Sequence, residues 1–433
     1  MIEEFISLFQ TDLYLRIWGY VAATWPIWLP IAMFSLFMNT WLSYKRREWI
    51  RSKGAMLLEI KLPKEIERSP AAMEVVFNGL HEGVVGSLTD VYLNGRVRSW
   101  FSFEIVSLGG EVKFFIWAFP QWKSIIESRI YAQYPGVEIF EAQDDYALKV
   151  IYDPKRMDIW GATIKLNKAD AYPIKTYIDY ELDRGGKEPE EIVDPIMPVL
   201  EQLGSLKPGE QAWFQILVQA HRKEGFKDTR IFPKSDWQEG IKKEITKIIE
   251  KESFTKPTKA TGDKDSMPYM TFLTRTQDKT IEAIERNAAK PAFDTMIRVL
   301  YTAPIGIFSK GRIGGLLGSL RQFGSQSLNS FRPDWMLNTD YEWEDFRNFG
   351  KKRNSRTLLE AYKRRSFFNV PFKHLRGKPF ILTAEELATI YHFPGRAITT
   401  PTLARVPSKK ATAPPNLPVK HLEVEDASER SPN

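Results

Sequence analysis

The stretch RSWFSFEIVSLGGEVKFFIWAFPQWKSIIESRIYAQYPGVEIF, Arg98 to Phe140, decides the fold. Two runs rich in aromatic and β-branched residues, Arg98–Ser107 and Glu111–Phe119, are joined through Gly109-Gly110, which is the composition of a β-hairpin. Pro120 stands where a helix can begin, because the N–H it lacks would have no helical partner there. Trp122, Ile125, Ile126, Ile130 and Tyr134 then recur at helical spacing, and Pro135-Gly136 stops the helix before a strand over Val137–Phe140. Upstream, MLLEIKL (Met56–Leu62) has strand character and AAMEVVFNGLH (Ala71–His81) has helical period. The order is β-α-β-β-α-β, a ferredoxin-like unit over residues 55–150.

A second pass of similar order follows over residues 151–325: GATIKLNK, IKTYIDYE, a helix through DPIMPVLEQLGSL, a strand EQAWFQILVQA and a helix from Asp236 to Lys251. KESFTKPTKATGDKDSMP (Lys251–Pro268) is polar and poor in aliphatics and reads as a linker. Beyond it YMTFLTRTQ reads as a strand, DKTIEAIERNAAK as a helix, PAFDTMIRVLYTA as a strand and IGGLLGSLRQF as helical. Residues 326–398 form a basic-aromatic helical region ending in a capping box at Thr383 and Glu386, and the Pro- and charge-rich residues 399–433 are expected to be disordered. The fold class is therefore α+β, with tandem ferredoxin-like units.

In front of these units lies IWGYVAATWPIWLPIAMFSLFMNTWLSY, Ile17 to Tyr44, 28 residues without a charge. About 20 apolar residues suffice to cross the hydrocarbon core, so residues 17–44 read as one transmembrane helix, bent at Pro26 and Pro30. Trp18 and Tyr20 at one end and Trp41 and Tyr44 at the other suit the two interfaces. Residues 1–16 place Ile2, Phe5, Ile6, Phe9 and Leu13 on one helical face, as a short amphipathic segment or the start of the same helix. Lys45, Arg46, Arg47, Arg51 and Lys53 follow the span, whereas Glu3, Glu4 and Asp12 precede it with only Arg16 in opposition. That bias predicts a single pass in the inner membrane, N-terminus outside and the bulk of the chain cytoplasmic. The acidic N-terminal flank and the lack of a small-residue cleavage site argue against a removable signal peptide.

The chemistry-bearing patterns are sparse. The 433 residues contain no cysteine, which removes disulfides, cysteine-ligated zinc and a thiol nucleophile. His81, His221, His374, His392 and His421 are isolated from one another, so no metal site is expected. No G-x-x-x-x-G-K-[ST] loop occurs, and SKGRIGGLLGSL (Ser309–Leu320) has the glycines of a turn and a closely packed helix. Asp144-Asp145 and the group Glu188, Glu190 and Glu191 fit solvated loops or helix starts. The chain is thus expected to be non-enzymatic, with no cofactor.

One functional pattern remains. Lys351, Lys352, Arg353, Arg356, Lys363, Arg364 and Arg365, preceded by Lys310, Arg312, Arg321 and Arg332, are interleaved with Phe346, Phe349, Tyr362, Phe367 and Phe368. Cations beside stacking rings can hold single-stranded DNA without sequence preference. A solvated helix face or an inner-leaflet contact would use the same residues. The net charge of +7 is mild and suits either nucleic acid or anionic lipid.

Several stretches, WAFPQWKSIIESRIYAQYPGVEIFEA, DPIMPVLEQLGSLKPGEQAWFQILVQA, KPAFDTMIRVLYTA and KPFILTAEELATIYHFPG with the following TP and APPNLP segments, together resemble the N-terminal, pre-motor region of conjugation and type IV secretion coupling-type ATPases (HerA/FtsK-like), in the variety found in candidate-phyla bacteria. The resemblance covers roughly Met56 to Pro418. In that family the region precedes an ATPase core with a Walker A loop, which these 433 residues do not contain. It therefore implies a membrane-anchored docking component of a DNA- or protein-translocation apparatus, partnered by a cytoplasmic ATPase on another chain, by single-stranded DNA, or by copies of itself in a ring. The alternative is a membrane-associated structural or regulatory protein that binds a protein partner and has no nucleic-acid role.

Overall fold

The computed structural model describes residues 2–63, 68–84, 86–183, 193–223, 225, 237–252, 273–337, 345, 348–395 and 405–406. The first element, α1 (Ile2–Lys53), is one uninterrupted helix, so the amphipathic segment expected over 1–16 and the span over 17–44 belong to a single helix. It runs through Pro26 and Pro30, which leave only the carbonyls of Ala22 and Pro26 without their usual helical donors. The indole N–H of Trp28 donates to the Val21 carbonyl at 3.0 Å and the Thr24 hydroxyl to that of Tyr20 at 2.7 Å. Ile17–Lys53 is long and apolar enough to cross a membrane, and none of its most apolar window is buried within the chain.

The remaining elements follow in order: β1 (Met56–Pro63), α2 (Ala71–Leu80), α3 (Leu88–Tyr92), β2 (Phe101–Leu108), β3 (Glu111–Ala118), α4 (Lys123–Gln133), β4 (Glu138–Glu141), α5 (Tyr146–Lys149), β5 (Met157–Leu166), α6 (Met197–Gly204) and β6 (Gln211–Ala220). After these come α7 (Trp237–Glu252), α8 (Arg275–Ala288), β7 (Ala292–Pro304), α9 (Lys310–Gly318), β8 (Phe331–Met336), α10 (Phe349–Lys363), β9 (Phe380–Thr383), α11 (Ala384–Ile390) and β10 (Arg405–Val406). Eight strands lie side by side as β4-β1-β3-β2-β6-β7-β5-β8, every neighbouring pair antiparallel. β9 pairs with β7, and β10 runs parallel to the end of β1.

Each half of the row has its strands in the same internal order, fourth-first-third-second, and the halves meet through their second strands. That seam is β2 against β6, with Glu104 opposite Gln215 and Ile105 opposite Phe214. The sequence division near residue 150 therefore falls between connected parts of one sheet. Nor do residues 326–398 form a separate helical region. FRPDWM becomes the edge strand β8 on β5, and FILT becomes β9. YMTFLTRTQ also differs from expectation: its described end opens α8, because Thr274 and Gln277 form a capping box, Thr274 N donating to Gln277 Oε1 at 2.7 Å. The polar linker (from residue 253), Glu188, Glu190 and Glu191, His421 and the tail beyond Val406 lie outside the described residues.

Successive strand residues alternate between two covered faces. On one face, α2 places Phe77 against Phe103 with ring centroids 4.7 Å apart, Trp122 meets Phe101 at 5.0 Å, and Tyr391 after α11 meets Phe103 at 5.0 Å. Burying each such ring contributes about 1.5–3 kcal/mol relative to exposure. Every residue of α11 is buried, so the LTAEELATIYHF stretch is core. The other face is covered by α10, which approaches closely because Gly161 in β5 has no Cβ; one there would lie 2.3 Å from Leu358 Cδ2.

Candidate functional site

The strands beneath α10 place a row of polar side chains side by side under the helix. Glu104 in FSFEIVSL lies opposite Gln215 in WFQILVQA, which lies opposite Arg298 in TMIRVLYTA, and Arg298 lies opposite Thr163. All four are buried. Such a row needs partners, since an unpaired charge in this setting would be strongly destabilising. Arg365, just past α10, supplies the main one: its Nε and Nη2 donate to the two oxygens of Glu104, each at 3.0 Å. Its Nη2 also reaches Asp145 Oδ1 at 3.1 Å, and Nη1 contacts the other Asp145 oxygen.

The rest of the network closes around that pair. Tyr146 donates to Glu104 at 2.7 Å and shares a 2.7 Å hydrogen bond with Tyr362, while Ser102 and Gln215 donate to Glu104 at 2.7 and 3.0 Å. Burial pushes the Glu104 carboxyl up, but the Arg365 guanidinium and these donors overcome it and hold it below its ordinary value. Burial and the Glu104 charge push the Tyr146 phenol well above its ordinary value, so it stays a neutral donor. Arg298 is held by carbonyls at and after the last turn of α10, Ala361 at 3.1 Å and Ser366 at 2.7 Å, where the helix presents negative partial charge. Burial pulls its guanidinium down to about 10.

A second buried group joins α11 to the rest. Glu386 accepts from Ile174 N at 2.9 Å, Thr383 N at 2.8 Å and Asn287 Nδ2 at 3.1 Å, and burial pushes its carboxyl up to about 7. Its neighbour Glu385 accepts from the Thr176 hydroxyl at 2.7 Å and lies 3.2 Å from Arg286. His392 bridges Asp194 at 3.0 Å and the Ala388 carbonyl at 2.9 Å. His221 contacts Asp294 at 2.8 Å, and His81 contacts the Ala292 carbonyl at 3.0 Å. These groups sit in neighbour-to-neighbour contacts, which is what tying strands and helices together requires.

The seven cations read from the sequence as one cluster are divided. Arg365 is buried in the network above and is not available to a polyanion. Lys351 pairs with Asp158 at 2.9 Å, and Lys363 and Arg364 lie 3.8 and 3.7 Å from the same Glu360 carboxylate. Lys352, Arg353 and Arg356 are exposed on the outer side of α10. The interleaved rings divide in the same way: Tyr362, Phe367 and Phe368 are buried, Phe349 is exposed and Phe346 is outside the described residues. Arg312, from the earlier basic group, pairs with Glu210 at 3.4 Å.

Where α1 meets the body, the contact is specific. Trp41, expected as an interfacial anchor, donates its indole N–H to the Tyr92 carbonyl at 2.9 Å, Leu42 is buried, and Trp49 packs edge-on against Phe119 at 5.7 Å. Gly95 makes the approach possible: its φ is +69°, and a Cβ there would lie 2.3 Å from the Lys45 carbonyl carbon. Beside this junction is a cavity of about 630 Å³ lined by residues of α1, by Trp100 and Trp117, and by the segment from Lys363 to Phe372. Thus Lys363 and Arg364 come together with Arg47 and Arg51, which are more than 300 residues away in the sequence.

Compared with known proteins, residues 37–406 match a family model described as a domain of unknown function (DUF8128). No curated protein matches.

Proposed function

The chain belongs to the DUF8128 family, and we propose that it is a membrane-anchored, non-enzymatic docking component of a conjugation or type IV secretion-like translocation apparatus, receiving a cytoplasmic ATPase carried on another chain. The observation that carries this reading is the junction of α1 with the body. The helix able to span the bilayer packs against the sheet domain at Trp41, Leu42 and Trp49, so the body is held beside the membrane surface in a fixed attitude. A fixed platform suits docking, because ordering a flexible tether would subtract from the affinity of each partner contact.

The body itself reads as two ferredoxin-like units fused edge to edge, supported by the shared fourth-first-third-second strand order and by the β2–β6 seam. The non-enzymatic reading is supported by the mutual pairing of the buried titratable groups, Glu104 with Arg365 and Asp194 with His392. Turnover by the purified protein that a substitution in the body abolishes would overturn it. A second reading, contact with single-stranded DNA, is favoured by the exposed Lys352, Arg353 and Arg356 beside exposed Phe349.

The absence of cysteine gives a clean test of topology. Single cysteines are introduced by Leu15→Cys and Lys149→Cys and probed with a membrane-impermeant maleimide on intact cells. Labelling of the first alone, with the second reacting only after permeabilisation, is the expected result. The reverse pattern removes the cytoplasmic platform. For the partner, the purified chain is added to the translocation ATPase of the same cell; an unchanged ATPase rate and no co-migration through gel filtration would remove the docking role.

A further inference from the structure

We propose that the cavity between the base of α1 and the Lys363–Phe372 segment binds the phosphate headgroup of an anionic phospholipid. The inference rests on the membrane-spanning reading of α1. Among the residues lining the cavity, five are cationic, Arg47, Arg51, Lys363, Arg364 and Arg365, and one, Asp145, is a carboxylate. Asp145 is taken by Arg365, so the four other cations define the charge facing the space. Lys363 and Arg364 share the single carboxylate of Glu360. Arg47 and Arg51 have no ion-pair partner among the described residues and stand four apart on α1, where like charges repel. An anion between the two groups relieves that repulsion.

Position selects the source of the anion. Trp41 and Leu42 already pack on the body, so the hydrocarbon core ends before them, and at 1.5 Å per residue Arg47 and Arg51 lie about 9 and 15 Å beyond Trp41 along the axis. The headgroup layer extends roughly 5–7 Å beyond the hydrocarbon core, so the cavity faces the cytoplasmic surface of the headgroups, and the long arginine side chains can reach back toward the phosphates. Its walls are also partly apolar, with Trp100, Trp117, Ile50 and the exposed Leu148, which suits the glycerol and first acyl carbons of a lipid better than a free phosphate. Basic recesses beside membrane helices on the cytoplasmic side bind acidic headgroups for this reason. A nucleic-acid backbone would have to reach the same cations at the membrane surface.

The full chain, purified in detergent and freed of lipid, is examined by native mass spectrometry with phosphatidylglycerol and with phosphatidylcholine. Arg51→Gln/Arg364→Gln and the charge-retaining Arg51→Lys/Arg364→Lys are measured alongside, with circular dichroism as the check on folding; both side chains are exposed. The expected result is retention of phosphatidylglycerol over phosphatidylcholine by about tenfold or more, lost in the Gln variant and kept in the Lys variant. No preference in the wild type overturns the site. Displacement by millimolar inorganic phosphate assigns the cavity to a free phosphate, and displacement by single-stranded DNA assigns it to nucleic acid; either overturns the lipid assignment. Alkaline carbonate extraction of vesicles separates the premise: a chain that stays in the membrane without lipid preference loses this inference alone, whereas a chain that washes off loses the anchor as well.

Discussion

Arg365 and Glu104, 261 residues apart in the chain, form a two-point ion pair with both N···O distances at 3.0 Å and almost no exposure of either side chain. The pair ties the segment after α10 to the second strand of the sheet, at the seam between the halves. Removing Arg365 leaves Glu104 as an uncompensated buried charge, at a cost of about 3–5 kcal/mol, whereas removing Glu104 leaves Arg365 still paired with Asp145 and costs less. Arg365→Met is expected to lower the denaturation midpoint severely and Glu104→Gln less so, and the combined variant is expected to be less damaged than the sum of the two. Chemical denaturation in detergent, analysed as a double-mutant cycle, measures the coupling. Because the folded-state carboxyl of Glu104 titrates below its ordinary value, its contribution is present above the unfolded carboxylate pKa, about 4.3, and is lost as pH falls through the lower folded value.

Glu386 is expected to give the opposite slope. Its carboxyl is pushed up to about 7 in the folded chain, whereas in the unfolded chain it ionises near 4.3. Between these values the unfolded state has lost the proton that the folded state keeps, so stability falls as pH rises from about 4.3 to 7 and is level above that. At 1.36 kcal/mol per unit the loss is on the order of 4 kcal/mol. Thermal melts at pH 5, 6, 7 and 8 should show it. In Glu386→Gln the overall stability is lower, because whichever way the amide turns its N–H2 meets a donor, Ile174 N on one side or Thr383 and Asn287 on the other, but the slope through this window is flattened. An unchanged slope in the variant would remove Glu386 as its source.

These two carboxylates also show where the sequence was legible. The β2–β3 hairpin, α4 and the strands AWFQILVQ and AFDTMIRVLYTA follow from alternation and helical period, and their observed ranges agree with the reading to within a few residues. Glu104 and Arg298 are charged residues inside otherwise uncharged strand centres, but nothing local says which distant side chain partners each of them. Local charge counting instead placed Arg365 with its neighbours Lys363 and Arg364 as a nucleic-acid contact, although the following Ser-Phe-Phe runs into the core. β8 escaped notice because FRPDWM carries a proline and two charges, which an edge strand tolerates and a central strand does not. The β2–β6 seam is a pairing between distant strands, and no local pattern reports it.

Gly95→Ala is expected to loosen α1 from the body. A methyl group there meets the Lys45 carbonyl carbon at 2.3 Å, and a φ of +69° is itself unfavourable for alanine. Since backbone atoms on both sides cannot move independently, α1 must shift and the Trp41 to Tyr92 hydrogen bond is lost. Limited trypsin digestion in detergent should then cut faster at Arg51 or Lys53, while the sheet domain melts at nearly the wild-type temperature. Cleavage at the wild-type rate would show that the junction accommodates the extra methyl.

The division of the cations makes the DNA reading separable from the lipid site. Lys352, Arg353 and Arg356 are exposed on α10, whereas Arg47 and Arg51 belong to the cavity beside α1. Single-strand binding releases counterions, so log affinity falls with log salt by about 0.7 per neutralised phosphate. If all three α10 residues contact phosphates, Lys352→Gln/Arg353→Gln/Arg356→Gln reduces the magnitude of that slope by about 2. It also weakens binding at low salt, and Arg51→Gln/Arg364→Gln leaves most of the slope in place. Phe349→Ala should weaken binding with little change in slope, because stacking carries no counterion term; the loss expected for one base is about 1–3 kcal/mol. Fluorescence anisotropy of a labelled oligonucleotide across a salt series measures all three. A slope unaltered by the triple variant would take DNA away from α10.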